Sequence, residues 1–207
     1  MRTRIKICGI RTLEHARCAV DAGADALGLV FASRSPRFIE PSEAWAIVNR
    51  LPPMVTTVGL TVDASPEEYQ SIVEVCPTDF GQLHGSETVE IAQECGPRVI
   101  KAIQFDAETI EDDLRAWSAI EEVDAVLVDG GRGGEGITLD WERLARAKEA
   151  CAKPLILAGG LDASNVARAI EVVRPYAVDV SSGVESERGV KDESKIAAFC
   201  EAAMSVG

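Results

Sequence analysis

Residues 4–31 read RIKICGIRTLEHARCAVDAGADALGLVF, and this stretch decides the fold. It opens on a short apolar run, RIKIC (4–8), and closes on another, ADALGLVF (24–31). Between them LEHARCAVDAG has helical spacing, follows Thr12 as a good N-cap and stops at Gly23. An apolar strand, an amphipathic helix and a second apolar strand make a βαβ unit. Nearly all-apolar strands separated by helices belong to a parallel sheet covered by helices.

The same alternation continues to the end of the chain. Further runs are VTTVGLTV (55–62), TDFGQLH (78–84), RVIKAIQF (98–105), VDAVLVD (123–129), KPLILAG (153–159) and YAVDVSS (176–182). Seven further helical segments separate or follow them: PSEAWAIVNR, SPEEYQSIVEV, SETVEIAQECG, DAETIEDDLRAW, DWERLARAKEAC, DASNVARAIEVV and KDESKIAAFCEAAM. Ser65 caps the second of these with Pro66 at its first helical position, and Ser86 starts the third. Eight strands and eight helices predict one closed (β/α)8 barrel, a TIM barrel spanning 1–207 as a single domain. An open doubly wound sheet has fewer strands and a Gly-rich first turn, which CGIRT is not.

Composition narrows the function. The net charge of -13 argues against a nucleic-acid partner, which needs a basic face. Six scattered cysteines, with no Cys-x-x-Cys pair, read as free thiols in a reducing cytoplasm. Only His15 and His84 are available as imidazoles, so no metal site is expected. Neither a secretory leader nor an apolar membrane span is evident. The acidic, lysine-poor composition fits either an ordinary acidic cytoplasmic protein or a salt-loving host.

In a barrel of this kind the active face lies at the C-terminal ends of the strands. Reading those ends in order collects Cys8, Arg34 and Arg37, His84, Asp129, Gly159-Gly160 and Ser181-Ser182-Gly183. The last two turns, on adjacent strands, offer backbone N–H groups and hydroxyls to a phosphate; alternatively they are tight turns that need glycine. Asp129 ends the apolar run VLV, where partial desolvation suits a carboxyl group to carrying a proton. Cys8 is either an inert core thiol or, beside a cationic group, a base. Arg37 can grip a substrate carboxylate with its fork, whereas Arg34 reads as a solvated loop charge. His84 either touches substrate or holds a neighbour, or is merely structural. GGRGGEG (130–136) reads as a mobile lid or a flexible surface turn.

KICGIRT, SPRFI, QLHGSE, the VDG…GGEGITLDW stretch, LAGGLDASNV and VDVSSGVESERGVKD stand together in an order and spacing that resembles the phosphoribosylanthranilate isomerase family of tryptophan biosynthesis. The resemblance covers almost the whole chain. Gly81 stands where the family commonly has a β-branched residue. The resemblance implies an Amadori rearrangement of N-(5-phosphoribosyl)anthranilate, with Cys8 as general base and Asp129 as general acid. It implies that Arg37 meets the anthranilate carboxylate. It also implies that no cofactor is needed, because the substrate nitrogen is the electron sink. The expected partner is thus a small phosphosugar-anthranilate, with no nucleic acid or membrane, and the chain a monomer or homodimer. The rival readings are a histidine-pathway or dual-substrate isomerase, and a non-catalytic phosphosugar-binding barrel. The histidine-pathway relative places an aspartate where this chain has Cys8, and binding alone requires neither Cys8 nor Asp129.

Overall fold

The computed structural model describes residues 2–130 and 139–206. Eight parallel strands form a closed barrel in chain order: β1 (Arg4–Cys8), β2 (Ala26–Val30), β3 (Thr56–Thr61), β4 (Phe80–Leu83), β5 (Val99–Gln104), β6 (Val123–Asp129), β7 (Leu155–Leu157) and β8 (Ala177–Val180). β8 closes the ring on β1, pairing Lys6 with Asp179 and Ile7 with Val180. The helices are α1 (Leu13–Asp21), α2 (Pro41–Val48), α3 (Pro66–Val75), α4 (Val89–Cys95), α5 (Ile110–Ser118), α6 (Trp141–Ala147), α7 (Val166–Val173) and α8 (Glu193–Met204). Among the described residues no helix is long and apolar enough to cross a membrane.

Local chemistry sets these boundaries. Thr12 accepts the His15 N–H at the start of α1. Ser65 and Glu68 complete a reciprocal capping box at α3, with Pro66 behind the cap, an arrangement worth about 1 kcal/mol. α4 begins two residues later than the sequence predicts, capped by Thr88. The reason lies in the preceding turn. The Ser86 N–H is drawn to Asp63 Oδ1 at 2.6 Å, and the Gly85 N–H donates to the Glu87 carboxylate at 2.9 Å. Those bonds tie the ends of β3 and β4 together instead of starting a helix.

The two-residue period of each strand sorts its side chains. Ile5, Ile7, Leu27, Leu29, Val126, Val128, Val178 and Val180 face outward into the layer shared with the helices. Val58, Ile100, Ala102, Ala125, Leu127, Ile156, Ala158 and Ala177 fill the barrel interior. Both layers are made of buried, packed apolar side chains, so the inward positions nearest the C-terminal rim are held on rigid backbone. At β4 a Cβ on Gly81 would lie 2.0 Å from the Tyr69 hydroxyl. Tyr69 of α3 therefore occupies the space a β-branched residue would fill, which accounts for the glycine.

After β8 comes a segment the strand-helix pattern did not announce. A 3-10 turn (Ser182–Val184) leads into an antiparallel pair, β9 (Glu185–Glu187) and β10 (Val190–Lys191). Gly189 in its tip has φ +88°, and a Cβ there would lie 2.5 Å from the Pro36 carbonyl. The hairpin thus packs directly on the loop after β2.

Candidate active site

The inward parity carries chemistry to the rim. On β1 it selects Lys6 and Cys8, on β4 Gln82 followed by His84, on β6 Asp129 and on β8 Asp179. Cys8, Arg37, His84, Asp129 and Asp179 line one cavity of about 910 Å³ at the C-terminal ends of the strands. That volume suits a drug-sized or cofactor-sized molecule. The cavity collects groups from seven of the eight strands and their loops, all but β5.

Asp129 lies at the end of β6 and is 7% exposed. His84 Nε2 stands 3.3 Å from its Oδ2, and Gln82 Nε2 is 2.8 Å from His84 Nδ1. With Gln82 donating, Nδ1 is the acceptor and the imidazole proton sits on Nε2, facing the carboxyl group. Gln82 is wholly buried, so the imidazole is steered from beneath. Gly159, φ +86°, is wedged against the same carboxyl: a Cβ there would fall 2.2 Å from Gly130 N and 2.8 Å from Asp129 Oδ1. His84 thus contacts a neighbouring carboxyl and also lines the cavity, a placement compatible with either of the first two roles the sequence left open.

Cys8 is 4% exposed and shares a small apolar cluster with Val30 and Leu60. Below it Lys6 Nζ and Asp179 Oδ1 form a buried ion pair at 2.8 Å. Burial pushes the Cys8 thiol up from its ordinary range, the Lys6 ammonium pulls it down and Asp179 pushes it up again. Gly28 of β2 makes the arrangement possible. A Cβ at that position would meet Cys8 Sγ at 2.7 Å and Lys6 Nζ at 3.1 Å.

Arg37 reaches the cavity from the loop after β2, packed over Gly9 and 7% exposed. Its Nε and Nη2 donate to Glu185 Oε1 and Oε2 at 2.7 and 3.0 Å. The fork edge that the sequence assigned to a substrate carboxylate is thus occupied by a carboxylate of the chain itself. Nη1 makes no hydrogen bond among the described residues, so its two N–H groups and the second on Nη2 remain as donors. Lys191 Nζ joins the same cluster, 2.9 Å from Glu185 Oε1 and 2.8 Å from the Ser181 carbonyl. Arg34 is exposed on the loop, as its reading as a solvated charge expects.

The turns after β7 and β8 pack as one unit. Gly159 and Gly160 both have positive φ, and Asn165 Nδ2 donates to the Gly160 carbonyl at 2.8 Å to fix the first turn. A Cβ on Gly183 would lie 1.9 Å from the Leu161 carbonyl, so a glycine here lets the two turns meet. Ser181 Oγ is turned back to the Cys8 carbonyl at 3.1 Å. Ser182 lines the cavity, and its hydroxyl has no partner among the described residues. Gly159, Gly160, Ser181 and Ser182 thus surround one end of the cavity. The lid sequence GGRGGEG lies outside the described residues apart from Gly130.

Lys6, Gln82, Gly28, Asp179 and Glu185 were not singled out from sequence. For Lys6 and Asp179 a signal existed: each lies two residues before a selected position, Cys8 or Ser181, on the same strand or its continuation. For Gln82 the same offset points to His84. Glu185 and Gly28 carried none, because their roles come from contacts across the chain.

Residues 5–202 match the family model described as N-(5'-phosphoribosyl)anthranilate (PRA) isomerase. The isomerase of that name from Nitrosococcus oceani is 46% identical over 210 residues, covering 100% of each chain. Its counterpart from Moorella thermoacetica is 48% identical over 204 residues, covering 96% of this chain and 88% of the relative. Among solved structures, the phosphoribosyl anthranilate isomerase from Thermotoga maritima superposes with a TM-score of 0.89 at 39% identity, over 98% of this chain and 99% of that one. A phosphoribosyl anthranilate isomerase in complex with reduced 1-(o-carboxyphenylamino)-1-deoxyribulose 5-phosphate superposes with a TM-score of 0.87, also at 39% identity and with the same coverage.

Proposed function

This chain belongs to the N-(5'-phosphoribosyl)anthranilate isomerase family of tryptophan biosynthesis, and we propose how its own residues carry the reaction. The conversion is an internal redox shift: an aldose amine becomes a ketose amine with no net change in atoms. Asp129 gives a proton to the furanose oxygen as the bond from that oxygen to C1 breaks. The nitrogen lone pair moves to C1 and leaves an iminium cation. That cation acidifies C2, and the Cys8 thiolate removes the C2 proton, leaving an enolamine. Protonation at C1 and loss of the C2 hydroxyl proton then give the ketone. The supporting observation is that Cys8 and Asp129, from β1 and β6, both face inward onto one cavity whose end is walled by the glycine and serine turns.

Each remaining group has a place in this scheme. The turns at Gly159, Gly160, Ser181 and Ser182 take the phosphate through backbone N–H groups and the Ser182 hydroxyl, with Gly183 keeping the two turns in contact. Arg37 meets the anthranilate carboxylate through Nη1 while Glu185 holds the rest of the guanidinium still. His84 keeps the Asp129 carboxyl in place. The chain works in the cytoplasm as a single domain, monomeric or homodimeric.

The direct test is a coupled assay with freshly made phosphoribosylanthranilate, run beside the histidine-pathway aminoaldose. Turnover of the first without added cofactor is expected. Turnover of the second alone, or of neither, overturns the reading. For Arg37, the Arg37→Lys variant keeps the charge but loses the fork that spans both Glu185 oxygens. Its KM should rise by on the order of tenfold, about 1.4 kcal/mol of binding, with a smaller change in kcat. A KM equal to that of the parent enzyme removes Arg37 from substrate recognition.

A further inference from the structure

The buried pair beneath Cys8 is not used by the steps above, yet its charges act on the sulfur. Lys6 and Asp179 are register partners on β1 and β8, and both side chains are more than nine-tenths buried. Lys6 Nζ has three hydrogens but a single hydrogen bond to oxygen, the 2.8 Å contact with Asp179. Cys8 lies two residues along the same strand and on the same face. The point where a Gly28 Cβ would sit is within 3.1 Å of both Sγ and Nζ, so only a glycine leaves the two groups facing each other. A buried ammonium with spare donors beside a buried thiol is arranged to hold a thiolate.

We propose that Lys6 is a positioning residue that stabilises the Cys8 thiolate, and that Asp179 sets how much of its charge reaches the sulfur. This rests on the reading of Cys8 as the general base. Burial pushes the thiol up, and the Lys6 ammonium draws it back down. Asp179 competes for the same ammonium. Of the other charged groups at the barrel mouth, Lys191 also draws the thiol down while bound to Glu185 and the Ser181 carbonyl, Arg37 is paired with Glu185, and Asp129 contacts His84.

The two members of the pair are therefore expected to act in opposite directions. In Lys6→Met the thiol should lose its counter-ion; in Asp179→Asn the ammonium should be freed toward it. The readout is the alkylation rate of Cys8 by iodoacetamide as a function of pH, followed on the Cys8 peptide by mass spectrometry in the intact protein. At pH 7 a roughly tenfold slower rate is expected for Lys6→Met and a several-fold faster one for Asp179→Asn, since alkylation follows the thiolate fraction. The acid limb of kcat/KM should move to higher pH in the first variant and to lower pH in the second. Lys6→Arg, which keeps the charge, should restore most of the parent profile. Shifts of the same sign, or none, overturn the proposal. Should Lys6→Met fail to fold, the near-isosteric Asp179→Asn decides alone, and an unchanged or slower rate refutes the assignment. Alkylation reads ionisation whether or not Cys8 is the base, so this outcome is independent of the assay of Cys8 variants.

Discussion

Replacing Asp129 with asparagine should lower kcat by on the order of 100-fold or more while leaving the fold and KM close to those of the parent enzyme. The size follows from what a positioned general acid contributes, roughly 100- to 10,000-fold. The selectivity follows from geometry. Asparagine keeps an oxygen to accept from His84 Nε2, so the contact at 3.3 Å can persist. It also fits the space beside Gly159, where nothing larger than hydrogen is tolerated on the glycine side. What it loses is the transferable proton. Ring opening would then proceed with an alkoxide leaving group and no proton donor, which is where the barrier rises. Steady-state kinetics together with a thermal melt separate the two effects. A kcat within a few-fold of the parent's would mean that another group donates the proton. His84→Ala should give a milder loss, because it frees the carboxyl to rotate without removing it.

The contrast between these two residues bears on how much of the site could be read before any coordinates. Cys8 and Asp129 stand at the ends of apolar strands, and a barrel fixes which end is the active face, so both were legible as rim positions from strand order, while their roles came only from the family resemblance. The fold was legible for the same reason: eight apolar runs with capped helices between them leave few ways to close a sheet. His84 was legible as a rim residue but not as the partner of Asp129, because that contact joins β4 to β6, and no local pattern reports a distance across a barrel. Arg37 was legible as a cation on the right loop. The Glu185 that occupies its fork was not, since it arrives on a short hairpin of two- and three-residue strands, too brief to carry a periodic signal. Gly183 was read as an anion donor. Its close approach to the Leu161 carbonyl of the neighbouring turn was not legible, since it depends on the packing of two loops distant in sequence. Local chemistry is written along the chain. Second partners are set by closure of the barrel.

Cys8→Ser is the sharper test of the mechanism, since it changes one atom of a side chain that is nearly buried. Serine is close to isosteric, and the small cluster with Val30 and Leu60 loses little volume, so the protein should still fold with at most a modest drop in Tm. Turnover should nonetheless fall by on the order of 100-fold or more, the loss expected for a missing general base. A hydroxyl does not ionise in the accessible range, and the adjacent Lys6 cannot compensate for so large a difference in acidity. The pH dependence makes the assignment specific. A base must be deprotonated to act, and burial holds the Cys8 thiol above its ordinary range. In the parent enzyme kcat/KM should therefore climb with pH as thiolate accumulates, and raising the pH should recover activity lost at neutrality. In Cys8→Ser that climb should vanish, leaving a low rate with no ascending limb from this group. If the serine variant instead keeps both the rate and the slope, the proton at C2 leaves to some other acceptor on the rim, and the thiol belongs to the packing of the barrel mouth.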